Sequence, residues 1–453
     1  MDTLTSEPTT YADGSSNAAE APPIWIKIDW FICVLLILFA LFTSGLHIRA
    51  YPTLSPIDEI QHIDYALRAS HFDFPREGER IEQEAMAEAA CRSVDAPGYV
   101  SQPCGLPEYS PGDFQEQGYN TAASQLPLYY IFSGALGRVI HFVTPIDSVV
   151  SSVRLTGGIW LGLAFCILWY AMATLGLRRR WRALAILWTS STPLIVFFHS
   201  TTTPDASIYL LGSLLLLTFL KYEESRLRWW WLYLILPLTF TVDRAIALPI
   251  LVGGLFLAMR SLGPKKFEIG KIVVLMGIPV LMYFAYFRIF PFIQNHLQPK
   301  FGSTADYPMS SAHFTDDVSI DRMLQQVETV ASPVHAVYLP YTVNTDIMRV
   351  FVSLLNWMIL GSLAGLTFLK KSGSRLSVIS GSTFLVMILA GPAYTFYYAY
   401  FSAANFSAPG RFGMSLMPFA TLAIAAVLEK RLVMISTLIV AIASYGYLVW
   451  LLI

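Results

Sequence analysis

Residues 126–143 read LPLYYIFSGALGRVIHFV, and whether this stretch crosses the bilayer decides the side of every loop after it. Its 18 residues approach the ~20 that a perpendicular span needs. Arg138 and His141 lie inside it, however, and such groups fit a helix lying in the interface better than one at hydrocarbon depth. Eleven further apolar segments run at 30–48, 152–176, 183–199, 206–220, 229–242, 245–259, 271–290, 348–369, 376–395, 413–428 and 432–452. With 126–143 laid flat, the loops between them sort by charge. Arg178–Arg180 and Arg182, Lys221, Arg226 and Arg228, Arg260, Lys265, Lys266 and Lys271, Lys370, Lys371 and Arg375, and Lys430 and Arg431 fall on one side. They make up 16 of the chain's 30 Lys and Arg residues, against Glu223, Glu224, Glu268 and Glu429. Short basic loops mark the cytoplasmic face. The predicted fold is therefore an all-α polytopic membrane protein of about eleven transmembrane helices. Its N-terminus is inside, its C-terminus outside, and 126–143 forms an extracytoplasmic juxtamembrane helix.

Composition agrees. Of 453 residues, 55% are hydrophobic and 13% charged, about half the charged share of a soluble domain, and the mean hydropathy is +0.53. Apolar surface on this scale excludes an ordinary soluble enzyme. Short, separated basic clusters give no stripe for nucleic acid. Aromatic residues make up 14%, as expected where rings sit among headgroups. Residues 1–22 are polar and acidic without Lys or Arg, which predicts disorder and does not fit a signal peptide. The predicted plan is a cytoplasmic tail over 1–28 and a transmembrane domain over 29–453, with large outer loops at 50–150 and 291–347. The outer segments hold 13 basic and 22 acidic residues. Cys91 and Cys104 share the first outer loop, where an oxidising compartment permits a disulfide. Cys33 and Cys166 read as core residues within spans.

The chemistry-bearing residues gather on the outer side. In SPIDEIQHIDYALR, residues 55–68, Ser55 suits an N-cap and Pro56 a first helical position. Asp58, His62 and Tyr65 then share one helical face, and Glu59 and Ile63 another. Asp58 near the membrane surface is placed to take a proton from a hydroxyl, with His62 one turn away to orient it. Ser55 and Asp58 equally make a capping-box pattern, and both readings stand. HSTTTPDAS, residues 199–207, places His199 and Asp205 at an outer turn as candidate substrate-binding groups, although Pro204-Asp205 also suits a plain helix start. Asp243-Arg244 sits between two spans, either as a mutual ion pair or with the Arg poised for a lipid phosphate. Arg288, Arg349 and Arg411 are further outer cations suited to phosphate, or to snorkelling. The aromatic stretches 394–401 and 333–341 read as an apolar groove or an interfacial belt. Asp316-Asp317 reads as a solvated pair. No P-loop, HExxH, Cys/His ligand spacing or GxSxG elbow occurs, and neither a mid-span charge relay nor an internal repeat is visible.

A first span followed by Asp58-Glu59 and His62, then Gln125-Leu126-Pro127-Leu128-Tyr129-Tyr130, resembles the GT-C superfamily of membrane glycosyltransferases. The protein mannosyltransferase and aminoarabinose transferase group is the nearest characterised part of it. An uncharacterised bacterial membrane family with a P-x-D-E-x-x-H motif (56–62 here) and a late G-R-[FY] (Gly410-Arg411-Phe412) is nearer still. Thr203-Pro204-Asp205-Ala206 and Arg154-Leu155 fit the same pattern, and the likeness covers most of residues 30–420. The family usually has His-Pro-Pro where this chain has Gln-Leu-Pro at 125–127. The resemblance implies a bacterial inner (plasma) membrane enzyme of the cell envelope. It would transfer a sugar, with inversion, from a polyprenyl phosphate to a glycan, glycolipid or protein acceptor at the extracytoplasmic face. Asp58 would be the base and Glu59 and His62 its helpers. Arg244, Arg411, Arg288 and Arg349 would hold the donor phosphate, and His199, Asp205, Asp243 and Tyr129 the substrate. No cofactor is expected beyond the lipid-linked donor, and the lack of a separate outer D-x-D motif points away from a metal. A flippase for a lipid-linked saccharide and a non-catalytic assembly subunit are the rival readings. Reporter fusions test the topology: one after residue 145 should report outside and one after residue 180 inside, and a cytoplasmic signal at 145 would overturn it.

Overall fold

The computed structural model describes residues 27–262 except 77, 97 and 98, scattered positions in 270–289, and residues 320–334, 344–370, 373–401 and 410–453. Arg288, Asp316-Asp317, nearly all of the 1–28 tail and most of the 291–347 loop lie outside the described residues. The helices in chain order are α1 (Lys27–Ala50), α2 (Glu59–Ala69), α3 (Gln83–Arg92), α4 (Leu128–Val143), α5 (Val149–Thr174), α6 (Arg179–Ser190), α7 (Pro193–Phe198), α8 (Asp205–Glu223), α9 (Trp230–Phe240) and α10 (Ala247–Ser261). They continue with α11 (Ile320–Ala331), α12 (Asp346–Phe368), α13 (Arg375–Phe401), α14 (Met417–Val427) and α15 (Arg431–Leu452). No strand occurs among the described residues.

Eight of the described helical segments are long and apolar enough to cross a membrane: Ile28–Ala50, Val149–Thr174, Asp205–Glu223, Arg244–Ser261, Asp346–Phe368, Arg375–Tyr397, Gly410–Val427 and Arg431–Leu452. The chain is a polytopic, all-helical membrane protein. Two segments expected as spans differ. The 183–199 stretch divides into α6 and α7 at Pro193, because Thr192 before the proline is extended, with φ −85° and ψ 113°, as a pre-proline residue prefers. The break is fully buried, with Ser191 and Thr192 at 0% exposure, which is how irregular backbone is tolerated at membrane depth. The 229–242 stretch forms only the 11-residue α9, with Pro237 inside it. At 1.5 Å per residue it is too short for a perpendicular crossing. The 271–290 segment is described only in part.

The central helix is α5, flanked by α1 and α8, with α4 packed along it. Gly158 and Gly162 of α5 allow this, since a Cβ on Gly162 would stand 2.8 Å from Ile37 Cα. The 126–143 stretch becomes the 16-residue α4, which packs on α2 and α5. Beyond the end of α1, residues 51–127 build a small lobe with its own core, including Leu54, Ile60, Ile63, Leu67, Met86 and Phe114. A Cys91–Cys104 disulfide closes part of it. Arg68 ties the lobe together through Asp73 at 2.8 Å, Glu79 at 2.9 Å and Glu82 at 3.6 Å. The buried Asp64 accepts from the Glu82 amide and from Asn120, and burial pushes its carboxyl up to about 6 despite those donors.

At the other end of α8, Glu223 receives Arg260 and Arg375, each at 2.9 Å, clamping α8, α10 and α13. Asp205 and Glu223 are the first and last residues of a 19-residue helix, so these two ends stand about 27 Å apart.

The closest approach in the lobe is Gly134 of α4, whose missing Cβ would overlap the Ala66 carbonyl of α2. Gly134→Ala should push the two helices apart and lower stability by about 1–3 kcal/mol, read as a drop in the melting temperature of the detergent-solubilised protein.

Candidate functional site

The site begins at the junction between the lobe and the spans. Glu59, the first residue of α2, is fully buried beside Arg154 of α5, which is also 0% exposed. Arg154 grips the carboxylate with two donors, Nε to Oε1 at 2.8 Å and Nη2 to Oε2 at 2.7 Å. The Thr202 amide donates to Oε1 at 2.8 Å and the Ser55 amide to Oε2 at 2.7 Å. Arg154 also donates to the carbonyls of Tyr51 and Thr53. Four donors fill the capacity of a carboxylate, so Glu59 has no lone pair left for a substrate. Its place is structural, which corrects the expectation that it assists the chemistry directly.

Asp58 sits one residue earlier and behaves oppositely. Helix α2 starts at Glu59 and not at Pro56. Asp58 occupies the N-cap in the left-handed region, with φ 53° and ψ 23°, and its side chain caps nothing. The expected Ser55–Asp58 capping box does not form, because Ser55 Oγ accepts instead from the Ile57 amide at 3.2 Å and the Ser55 amide goes to Glu59. A left-handed backbone costs an L-residue about 1–2 kcal/mol, less for Asp than for most. Burial and the Glu116 carboxylate raise the Asp58 carboxyl above its ordinary range, against the pull of Arg411. Among the described residues, its carboxylate accepts no hydrogen bond.

His62 lies one turn on, half-buried, with Nδ1 2.7 Å from the Tyr130 hydroxyl and the two rings stacked at 5.9 Å. Tyr130 also stacks on Tyr65 at 3.9 Å. Burial, with Arg411 nearby, pushes the His62 imidazole down to about 3, so it is neutral at physiological pH and acts as a hydrogen-bonding group.

Arg411 joins the parts. Its Nε stands 3.2 Å from Asp205 Oδ2, and its charge reaches Asp58, His62 and Asp243. Asp205 also accepts from Thr203 Oγ1 at 3.1 Å. Asp243 caps the turn into α10 by accepting from the Ala245 amide at 2.6 Å. Burial and the neighbouring Asp205 raise its carboxyl, opposed by Arg244 and Arg411. Asp58, His62, Asp205, Asp243, Arg244 and Arg411 thus form one electrostatic cluster from four separated stretches of chain.

Other expected site residues lie elsewhere. His199 does not face an outer compartment: it is fully buried, its Nδ1 bonded to the Ile195 carbonyl at 2.7 Å and its ring edge-on to Tyr209. The whole 199–205 turn is buried, because α5 presents Gly157 directly to the His199 backbone. Tyr129 is 4% exposed and bonds Ser133 and the Thr203 backbone beneath the cluster. Arg349 points to solvent and pairs with Asn344 and Asp346 of its own helix start. Two contributors carried little sequence signal: Glu116, 58 positions from Asp58 in a 3₁₀ turn that is itself left-handed at φ 53°, and Thr202, which acts through its main chain.

Compared with protein-family models, curated proteins and solved structures, the chain matches none.

Breaking the buried pair should be far more damaging than deleting it. Arg154→Met strands the Glu59 charge and should cost about 3–5 kcal/mol, whereas the double variant Glu59→Leu/Arg154→Met should recover more than half of that. Thermal unfolding of the wild type and the two purified variants measures the difference, and equal losses in the single and double variants would contradict it.

Proposed function

We propose that the chain is a glycosyltransferase of the GT-C type that moves a sugar from a polyprenyl phosphate to a cell-envelope acceptor, with inversion. In this reading it is a polytopic protein of a bacterial inner membrane with its N-terminus inside. The Asp58 cluster then faces the extracytoplasmic side. The carrying observation is the contrast between the adjacent acids: Glu59 is sealed by four donors, while Asp58 is held in a left-handed turn with an uncommitted carboxylate beside Arg411.

The acceptor hydroxyl oxygen attacks the anomeric carbon as the carbon–oxygen bond to phosphate breaks, and the polyprenyl phosphate leaves with the bonding electron pair. Asp58 takes the hydroxyl proton, a role that needs a carboxylate within hydrogen-bond reach of the nucleophile. Arg411 and Arg244 are the cations placed to meet charge developing on the leaving phosphate, which preorganised donors stabilise most in a water-poor site. Asp205 aims the Arg411 guanidinium, and Tyr130 aims His62 towards the sugar or the acceptor. Arg349 takes no part, and the scheme requires no metal.

Transfer from a radiolabelled polyprenyl-phosphate sugar in proteoliposomes tests this. Asp58→Ala should lower kcat by about 10²–10⁴-fold with the protein still folded, and full activity would end the assignment. Because Asp58 must be ionised and its carboxyl is raised, activity of the wild type should fall as pH drops, with the acid limb above the ordinary aspartate range near 4. No transfer by the purified wild-type chain under any lipid-linked donor would favour a non-catalytic subunit.

A further inference from the structure

At the end of the molecule away from Asp58, a groove of about 670 Å³ opens between α12, α14 and α15. Its position follows from the helix register. Asp205 meets Arg411 at one end of α8, and Glu223 meets Arg375 at the other. Arg375 starts α13 just after Lys370, and Lys430 precedes α15 just after α14. The groove therefore runs from Leu354, at mid-helix, to Lys370 and Lys430 at the Glu223 end, a rise of about 24 Å along α12. That distance covers one leaflet and its headgroup layer.

The walls are apolar, with Leu354, Trp357 and Val440 among them, while Gly361, Gly365 and Ser362 make the floor low. Nothing stands within 4 Å of where a Cβ on Gly361 or Gly365 would sit. The rim is charged by Lys370, Lys430 and Glu429. The cations at this end divide into those that meet an acid and those that do not. Arg179, Lys221, Arg226, Arg260 and Arg375 all pair with acids, whereas Lys370 and Lys430 form no ion pair among the described residues. A hydrocarbon-lined slot one leaflet deep, ending in two such cations at headgroup level, matches a lipid with an acyl chain and an anionic phosphate.

We propose that this groove is a binding site for an anionic phospholipid, its acyl chain along Gly361 and Gly365 and its phosphate between Lys370 and Lys430. The site is separate from the Asp58 cluster and independent of the transfer chemistry. Glu429 offsets one lysine, so the rim gains about one net cation. That is worth roughly a five-fold preference for phosphatidylglycerol over phosphatidylcholine of the same chains.

Native mass spectrometry of the full chain, titrated with those two lipids, reads the preference. Lys370→Gln/Lys430→Gln should abolish it, and Glu429→Gln should increase it. Gly365→Leu should reduce retention of both lipids by filling the slot. Both lysines are solvent-exposed, so the charge variants decide the question even if Gly365→Leu does not fold. Equal retention of the two lipids by the wild type, or an undiminished preference in the lysine double variant, overturns the proposal.

Discussion

The Glu59–Arg154 ion pair is the contact on which the junction between spans and lobe depends. Two opposite charges at zero exposure are tolerated only when every lone pair and proton is met, since the desolvation of each ion costs several kcal/mol. That demand is met at all four carboxylate positions and at each guanidinium nitrogen by bringing together Tyr51 and Thr53 after the first span, Ser55 and Glu59 at the start of α2, Arg154 on the central span and Thr202 in the buried turn before α8. Few other arrangements of these segments would satisfy the same set of donors and acceptors. The pair therefore acts less as a source of stability than as a selector of one geometry.

Asp58 is where that selection becomes chemistry. With Glu59 turned into the protein and the Ser55 amide drawn to the same carboxylate, the three intervening residues fold back on themselves. The turn closes with Asp58 in a left-handed conformation. Its carboxylate is then left out of the network that holds its neighbour. Strain kept in place by surrounding contacts is a feature of working sites, and the charges around Asp58 pull in opposite directions. Burial and Glu116 disfavour the anion, Arg411 favours it, and the first two prevail. The result is a carboxyl that holds its proton more tightly than an exposed one does.

Arg411 has a second consequence for the architecture. It stands just before α14 and reaches Asp205 at the start of α8, while Glu223 at the far end of α8 is clamped by Arg260 and Arg375. One helix thus carries an acid at each end, each paired with arginines from elements distant in sequence. This ties α10, α13 and the segment before α14 to the two ends of α8 without placing charge at its middle. The break between α6 and α7 is tolerated because Ser191 and Thr192 at the break are fully buried.

Much of the framework was legible in local composition. Hydrophobic runs of span length identify themselves because the bilayer core demands about 20 apolar residues whatever the partners are. The adjacency of Asp58, Glu59 and His62 was visible as a motif. Pro193 warned of a break that a hydropathy reading of 183–199 passed over, whereas Pro237 lies inside α9 without ending it. What the sequence could not express was which of two neighbouring carboxylates is buried. Glu59 and Asp58 differ by one methylene, and their contrast is created by Arg154, 95 positions away, and by a backbone amide at Thr202. Likewise, nothing local distinguishes His199, sealed in the core, from His62, open to the cluster, or Arg349, facing solvent, from Arg411. The sequence by itself determined a helical membrane protein with charged groups at its span ends. Only the tertiary structure decided which charges neutralise one another and which remain available, because that depends on long-range packing and desolvation and not on any pattern along the chain.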